Sequence, residues 1–365
     1  MCPTNGVQLY RQFALPPEMS NMAKLYQQGR LSVVGNVGPL IEPTNATTFK
    51  QESAKLPLRL FSHNDQQSIW LAGQTEGAQF GWAGKLNDAL IAQGTHMPNT
   101  FSAITTAGSG LLIAGDKTTP YHVSNGRAAN IEIFEEFDES NLLKQHFSAI
   151  TNQGTHFIEQ DVASQMNSAF DANQKFNAAM ENTQITLPSF GNSDLGKQLE
   201  TVSKAIAIRE QLNEKRQVFF VAMGGFDTHS DQANSLPQLQ QTMDESISVF
   251  DQAMQKLGLS DSVTLFTASD FGRTLVVNGD GTDHGWGGHH FIMGGAINGG
   301  TIFGDIPEPV LDHTLDAGHG RLIPTMSVEQ YAASLGAWLG VEQQTLRQIF
   351  RTLANFGDLP NMFKK

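Results

Sequence analysis

The residues able to do chemistry gather in two stretches. The first runs from Asp270 to Gly300 and sets Asp270, Arg273, Asp283, His284, His289 and His290 among glycines. The second is Gly224-Gly225-Phe226-Asp227-Thr228-His229. Such groups are costly to bury unless paired or bound to a cation. Asp-x-His at a strand end offers a carboxylate oxygen and a ring nitrogen to one ion at about 2.0–2.2 Å. The expectation is a metal-assisted site built from Asp227, His229, Asp270, Asp283 and His284. Structural alternatives stand beside it: Asp227 as a helix cap with His229 on the surface, and Asp270 in an ion pair with Arg273.

Ser62 and His63 are the candidates for nucleophilic chemistry. A hydroxyl at the mouth of a helix, among free amide N–H groups and near a cation, can be deprotonated and can receive an anionic group. The alternative is that Ser62 or Asn64 simply caps the helix. Arg273 and His289 are the candidates for contact with a bound anion. Strand alternation sends His289 and His290 to opposite faces, so one of them at most reaches the site, with His289 expected there. His96, His122, His146 and His156 have no ligand-like spacing.

Composition narrows the chemistry. The chain of 365 residues has a net charge of -13, which argues against nucleic acid and anionic membrane surfaces as partners. An anionic small molecule or glycan ester stays open, because a bound divalent cation reverses the local field. Cys2 is the single cysteine, so no internal disulfide or thiolate cluster forms. His and carboxylate donors suit zinc, manganese, magnesium or calcium. No apolar run is long enough to span a membrane.

The elements that must carry these residues alternate between strand and helix. Strands are expected at Leu31–Val37, Ser102–Thr106, Leu111–Ala114, Gln217–Met223, Ser262–Thr267 and His290–Met293. Helices are expected from an opening at Pro16-Pro17-Glu18 to a stop at Gly29, at Gln66–Ala72, Gly81–Gln93, Asp194–Leu212 and Leu236–Leu257, and in the tail from Ser327 to Leu353. Gln217–Met223 carries the strongest buried-strand signal. Asp116–Gly191, rich in Asn, Gln, Ser and Phe, reads as a largely helical insertion or cap within a single domain. Alternation of this kind predicts an α/β fold, a mostly parallel sheet with helices on both faces.

Six segments in order, Leu31 to Gly38, Phe61-Ser62-His63-Asn64-Asp65-Gln66, Gly224 to His229, Ser269 to Thr274, Gly281-Thr282-Asp283-His284-Gly285 and Gly320-Arg321-Leu322-Ile323-Pro324-Thr325, resemble the domain of unknown function 1501. That family is grouped with the alkaline phosphatase and sulfatase superfamily. The resemblance implies a three-layer fold, export to the periplasm or beyond, and metal ions held at strand ends. It assigns Asp227, His229 and His284 to one metal, Asp270 to a second, and Ser62 to the nucleophile. Phe271 departs from the superfamily, which commonly has a ligating His there. The family normally opens with a twin-arginine signal and a strand ending in a Gly-Gly-Asn-Asp-Ser type motif, so the chain is expected to be amino-terminally incomplete. Unpaired strand edges and poor stability are the consequence expected. Two functions follow as expectations: a metal-dependent phosphate or sulfate ester hydrolase, or a non-catalytic binding or assembly protein on the same fold. A carbohydrate-associated surface protein, with the insertion as its recognition cap, is a third.

Overall fold

The structure, a computed structural model, describes residues 11–108, 110–128, 145, 149–150 and 156–364. In chain order its helices are α1 (Ser20–Gln27), α2 (Ala46–Lys50), α3 (His63–Ala72), α4 (Trp82–Ala92), α5 (Phe157–Glu181), α6 (Asp194–Ala207), α7 (Gln232–Lys256), α8 (Val328–Leu339) and α9 (Gln343–Ile349). The strands are β1 (Leu31–Gly38), β2 (Ala103–Thr105), β3 (Tyr121–Ser124), β4 (Arg127–Ala128), β5 (Val218–Phe220), β6 (Thr264–Phe266), β7 (Arg273–Asn278), β8 (Gly281–His284), β9 (Gly288–Gly294), β10 (Ile302–Phe303) and β11 (Met326–Ser327).

The architecture is α/β with helices on both faces, but the sheets are mixed rather than mostly parallel. One sheet runs β10-β1-β9-β6 with β11 also beside β1, a second runs β4-β3-β2-β5, and β7 and β8 form a separate hairpin. Within the first, β9 is antiparallel to both β1 and β6. The cause is the connection. A parallel return needs a crossover, usually helical, whereas the chain between β6 and β9 is occupied by the β7–β8 hairpin. The strand expected at Leu111–Ala114 is a single 3-10 turn, Leu111–Ile113. The carbonyls of Leu111 and of Ala114, just past the turn, pack directly on Gly81 and Gly84, where an added Cβ would stand 2.0 and 2.1 Å from them.

Two cores flank the sheets. On one face Val34, Val37 and Ile292 meet Trp82, Leu86 and Leu90 of α4 and Tyr331, Ala332 and Leu335 of α8. On the other, Leu31, Val33 and Met293 meet Leu25 of α1, Leu199 and Val202 of α6, and Ile247 and Phe250 of α7. The helical stripes legible in the sequence are these buried faces.

β6 ends the first sheet and β5 ends the second. Val218, Phe220 and Phe266 reach the first core, and Phe219, Val221 and Leu265 reach the second. Each strand is hydrogen-bonded on one edge only among the described residues. Both are half-buried throughout. Gln217–Met223, the segment expected to be most buried, falls short for that reason: a strand's burial depends on a neighbour on each side.

The region 116–191 opens with the β3–β4 hairpin, which extends the second sheet through parallel pairing of β3 with β2. Helix α5 then covers it, Phe176 packing on Phe101 and Tyr121. Of residues 129–155 in the expected helical stretch only 145 and 149–150 are described, and His146 lies outside the described residues.

Candidate metal centre

Four elements bring the site together: the N-terminus of α3, the loop after β5, the loop after β6 and the end of β8. Gly225, at φ 97°, turns the chain after β5 in a conformation that favours glycine. The loop is then fastened to β8, where Thr282 N–H donates to Thr228 O at 3.1 Å. Gly281 permits that contact, since a Cβ there would lie 2.3 Å from the His229 carbonyl carbon.

Asp227 is the hub. Its Oδ2 lies 3.2 Å from His63 Nε2, and its Oδ1 lies 3.1 Å from His229 Nε2 and 3.3 Å from His284 Nε2. The two ring nitrogens Nε2 of His229 and His284 are 2.9 Å apart. His63, Asp227 and His284 each offer a ligand atom within 4.8 Å of the others.

The outer nitrogens fix how these rings present themselves. His63 Nδ1 is 3.1 Å from Asp270 Oδ2, and His284 Nδ1 is 3.0 Å from the Phe61 carbonyl. A carboxylate and a carbonyl only accept, so both Nδ1 atoms carry the hydrogen and both Nε2 atoms present a lone pair. Two imidazole lone pairs therefore face one carboxylate, an electron-rich cluster able to take a cation, although a hydrogen on His229 Nε2 could also satisfy the His284 lone pair across 2.9 Å. Ligand atoms about 2.0–2.1 Å from a tetrahedral ion stand roughly 3.3–3.4 Å from one another. The separations of 3.1–3.3 Å from the two Asp227 oxygens lie near that spacing, while the 2.9 Å between His229 Nε2 and His284 Nε2 is shorter. The residues present fit a divalent cation.

Arg273 also binds the hub. Its Nη1 donates to Asp227 Oδ1, Nη2 donates to Thr282 O, and Nε donates to Thr282 Oγ1 at 3.1 Å. Partial desolvation works to raise the Asp227 carboxyl. The Arg273 hydrogen bond and the charges of Arg273, His229 and His284 outweigh it and hold the group below the usual carboxylate range.

Of the other sequence candidates, Asp270 and Asp283 contact rings of this centre, whereas His289 and His290 make their contacts elsewhere. Asp270 accepts from His63, Gln67 Nε2 and the Phe271 amide, which makes it the carboxylate that orients His63. Asp283 points the opposite way from His284, as alternation along β8 requires. Its Oδ1 accepts from Asn278 Nδ2 at 2.9 Å and lies 3.6 Å from His229 Nδ1. Ser62 donates to Asp65 Oδ2 at 3.3 Å, and its side chain makes no capping bond to α3. His289 is exposed, with Nδ1 accepting from the Asn36 amide at 2.9 Å. His290 is buried between the rings of Trp70 and Tyr331, and that burial lowers its pKa to about 3.

Sequence reasoning placed His63 beside a nucleophile and missed it as a ring facing the Asp227 carboxylate. It also passed over Phe271 as merely unable to ligate. The Phe271 ring stacks on His284 at 4.2 Å and tilts against His63 at 4.9 Å, wedging both imidazoles in place. The available signal was the paired occurrence of Phe61-Ser62-His63 and Asp270-Phe271, each an aromatic beside a polar group.

No curated protein and no solved structure matches the chain. A family model, described as protein of unknown function (DUF1501), matches residues 5–317, which include His63, Asp227, His229, Asp270 and His284. The chain is a member of the DUF1501 family.

Proposed function

We propose that the protein is a metal-dependent hydrolase of phosphate or sulfate esters, on a fold related to the alkaline phosphatases and sulfatases. The observation that carries this reading is the convergence of His63, His229 and His284 on the Asp227 carboxylate, with Nδ1 of both His63 and His284 held by an acceptor. Imidazole-rich donor sets favour zinc over magnesium or calcium, which prefer oxygen. One ion fits the geometry best, because Asp270 is engaged with His63.

His63, Asp227, His229 and His284 would hold the ion, which supplies Lewis-acid stabilisation of charge developing on a phosphoryl or sulfuryl oxygen. Arg273 neutralises Asp227 and ties it to β8. Ser62, directly before His63, is the candidate nucleophile, with Asp65 as the acceptor of its hydroxyl proton. Water is the alternative attacking group. Family resemblance further supports a periplasmic or secreted location.

The test is a panel of aryl phosphate and sulfate esters given to the full-length protein with added zinc, manganese or calcium, beside Ser62→Ala and Asp227→Ala. Turnover by wild type, lost in Asp227→Ala, supports the reading. Metal binding without turnover of any ester favours the non-catalytic binding protein, in which the ion is structural.

A further inference from the structure

The Gly320–Thr325 segment stood out in the sequence without a role, and the structure gives Arg321 a specific position. Arg321 Nε donates to the His284 carbonyl at 3.2 Å, and its guanidinium lies 4.9 Å from the centroid of the Phe61 ring. Phe61 is the residue whose carbonyl holds His284 Nδ1. The side chain is thus pinned beside a residue of the candidate metal centre by a hydrogen bond and a stacking contact.

The turn carrying Arg321 is itself fixed. Asp316 Oδ1 accepts from the amides of Gly318 and Gly320 at 2.7 and 3.0 Å. Arg321 N–H donates to Gly318 O, and its own carbonyl accepts from Ala317 N–H at 2.9 Å. The two arginines near the centre therefore differ. In Arg273, Nε, Nη1 and Nη2 are all engaged with Asp227 and Thr282. In Arg321, Nη1 and Nη2 make no hydrogen bond or ion pair to a described residue, which leaves four N–H donors in a planar fork.

We infer that Arg321 is the arm that recognises the tetrahedral oxyanion of the substrate, a phosphate or sulfate group, while Arg273 serves the Asp227 carboxylate. A guanidinium fork matches two oxygens of such a group, and charge-assisted pairs of this kind are the strong ones. The inference rests on the hydrolase reading for the identity of the neighbouring centre. Its test is nevertheless separable from that reading.

The experiment titrates inorganic phosphate and inorganic sulfate onto full-length wild type, Arg321→Gln and Arg321→Lys at low ionic strength. Bound zinc and the melting temperature are measured on the same samples. Expected are unchanged zinc content and melting temperature, an anion affinity weakened about tenfold or more in Arg321→Gln, and partial recovery in Arg321→Lys. Equal affinity in wild type and Arg321→Gln, or no anion binding by wild type, overturns the inference. Loss of zinc in Arg321→Gln also overturns it, since Arg321 would then act by positioning His284. Absence of zinc from wild type, with anion binding still dependent on Arg321, sinks the hydrolase reading and leaves this inference standing.

Discussion

Asp270 holds His63: its Oδ2 lies 3.1 Å from Nδ1, and this turns Nε2 onto Asp227 Oδ2 at 3.2 Å. The carboxylate that resemblance gave to a second metal is thus engaged in orienting a ring. Carboxylate–histidine pairs of this type set the tautomer and raise the basicity of the opposite nitrogen.

Asp270→Asn is therefore expected to weaken zinc binding by about 10–100-fold without abolishing it, whereas Asp227→Ala removes the hub and with it the binding. Zinc titration of both variants against a competing chelator checks the order. Equal loss in the two would place Asp270 among the direct ligands.

Glu214 and His96 form a buried pair, with Glu214 Oε2 and His96 Nε2 3.8 Å apart and no hydrogen-bond partner on the Glu214 carboxylate oxygens among the described residues. Burial pushes the Glu214 carboxyl up to about 8, against the opposing charge of Lys175. Burial, then the Arg216 charge, lowers His96. A folded-state pKa above the unfolded one makes the folded chain hold the extra proton. The stability this gives Glu214 is full below about pH 4.5 and is lost as pH rises toward 8. Wild type is expected to lose a few kcal/mol relative to Glu214→Gln across that interval. Urea denaturation at pH 5, 6.5 and 8 measures it, and parallel pH profiles for the two proteins would refute the assignment.

The open edges make their own prediction. Val218 N–H donates to Ser102 O and Phe220 O accepts from Thr106 N–H, so alternation turns the Phe219 amide away from β2. On β6, Thr267 N–H donates to Phe291 O, which turns the Phe266 amide away from β9. Hydrogen exchange at Phe219 and Phe266 is expected to run orders of magnitude faster than at Val33 within β1. Protection matching that of Val33 would mean that a further strand pairs with both edges.

The sequence made much of this legible, and its failures have physical causes. The helical stripes of α4, α6, α7 and α8 followed from 3.6-residue periodicity, and β1, β5, β6 and β9 followed from short apolar runs. Strand direction did not, because periodicity carries no sign. Only the absence of a crossover helix between Phe266 and Gly288 announces that β9 returns antiparallel. Within the site, Asp227, His229 and His284 could be selected by residue type and spacing. Residue type could not show that Asp270 meets an imidazole, that Asp283 faces away from His284 along β8, or that Phe271 packs against two rings. Those depend on which elements meet.

The central claim is that residues 63, 227, 229 and 284 share one cation. Elemental analysis of dialysed full-length wild type beside His63→Ala, Asp227→Ala and His284→Ala tests it most directly. The account predicts about one zinc per chain in wild type, with the metal lost in Asp227→Ala and strongly reduced in the two histidine variants. Equal metal in all four proteins, or none in wild type after zinc loading, would contradict it.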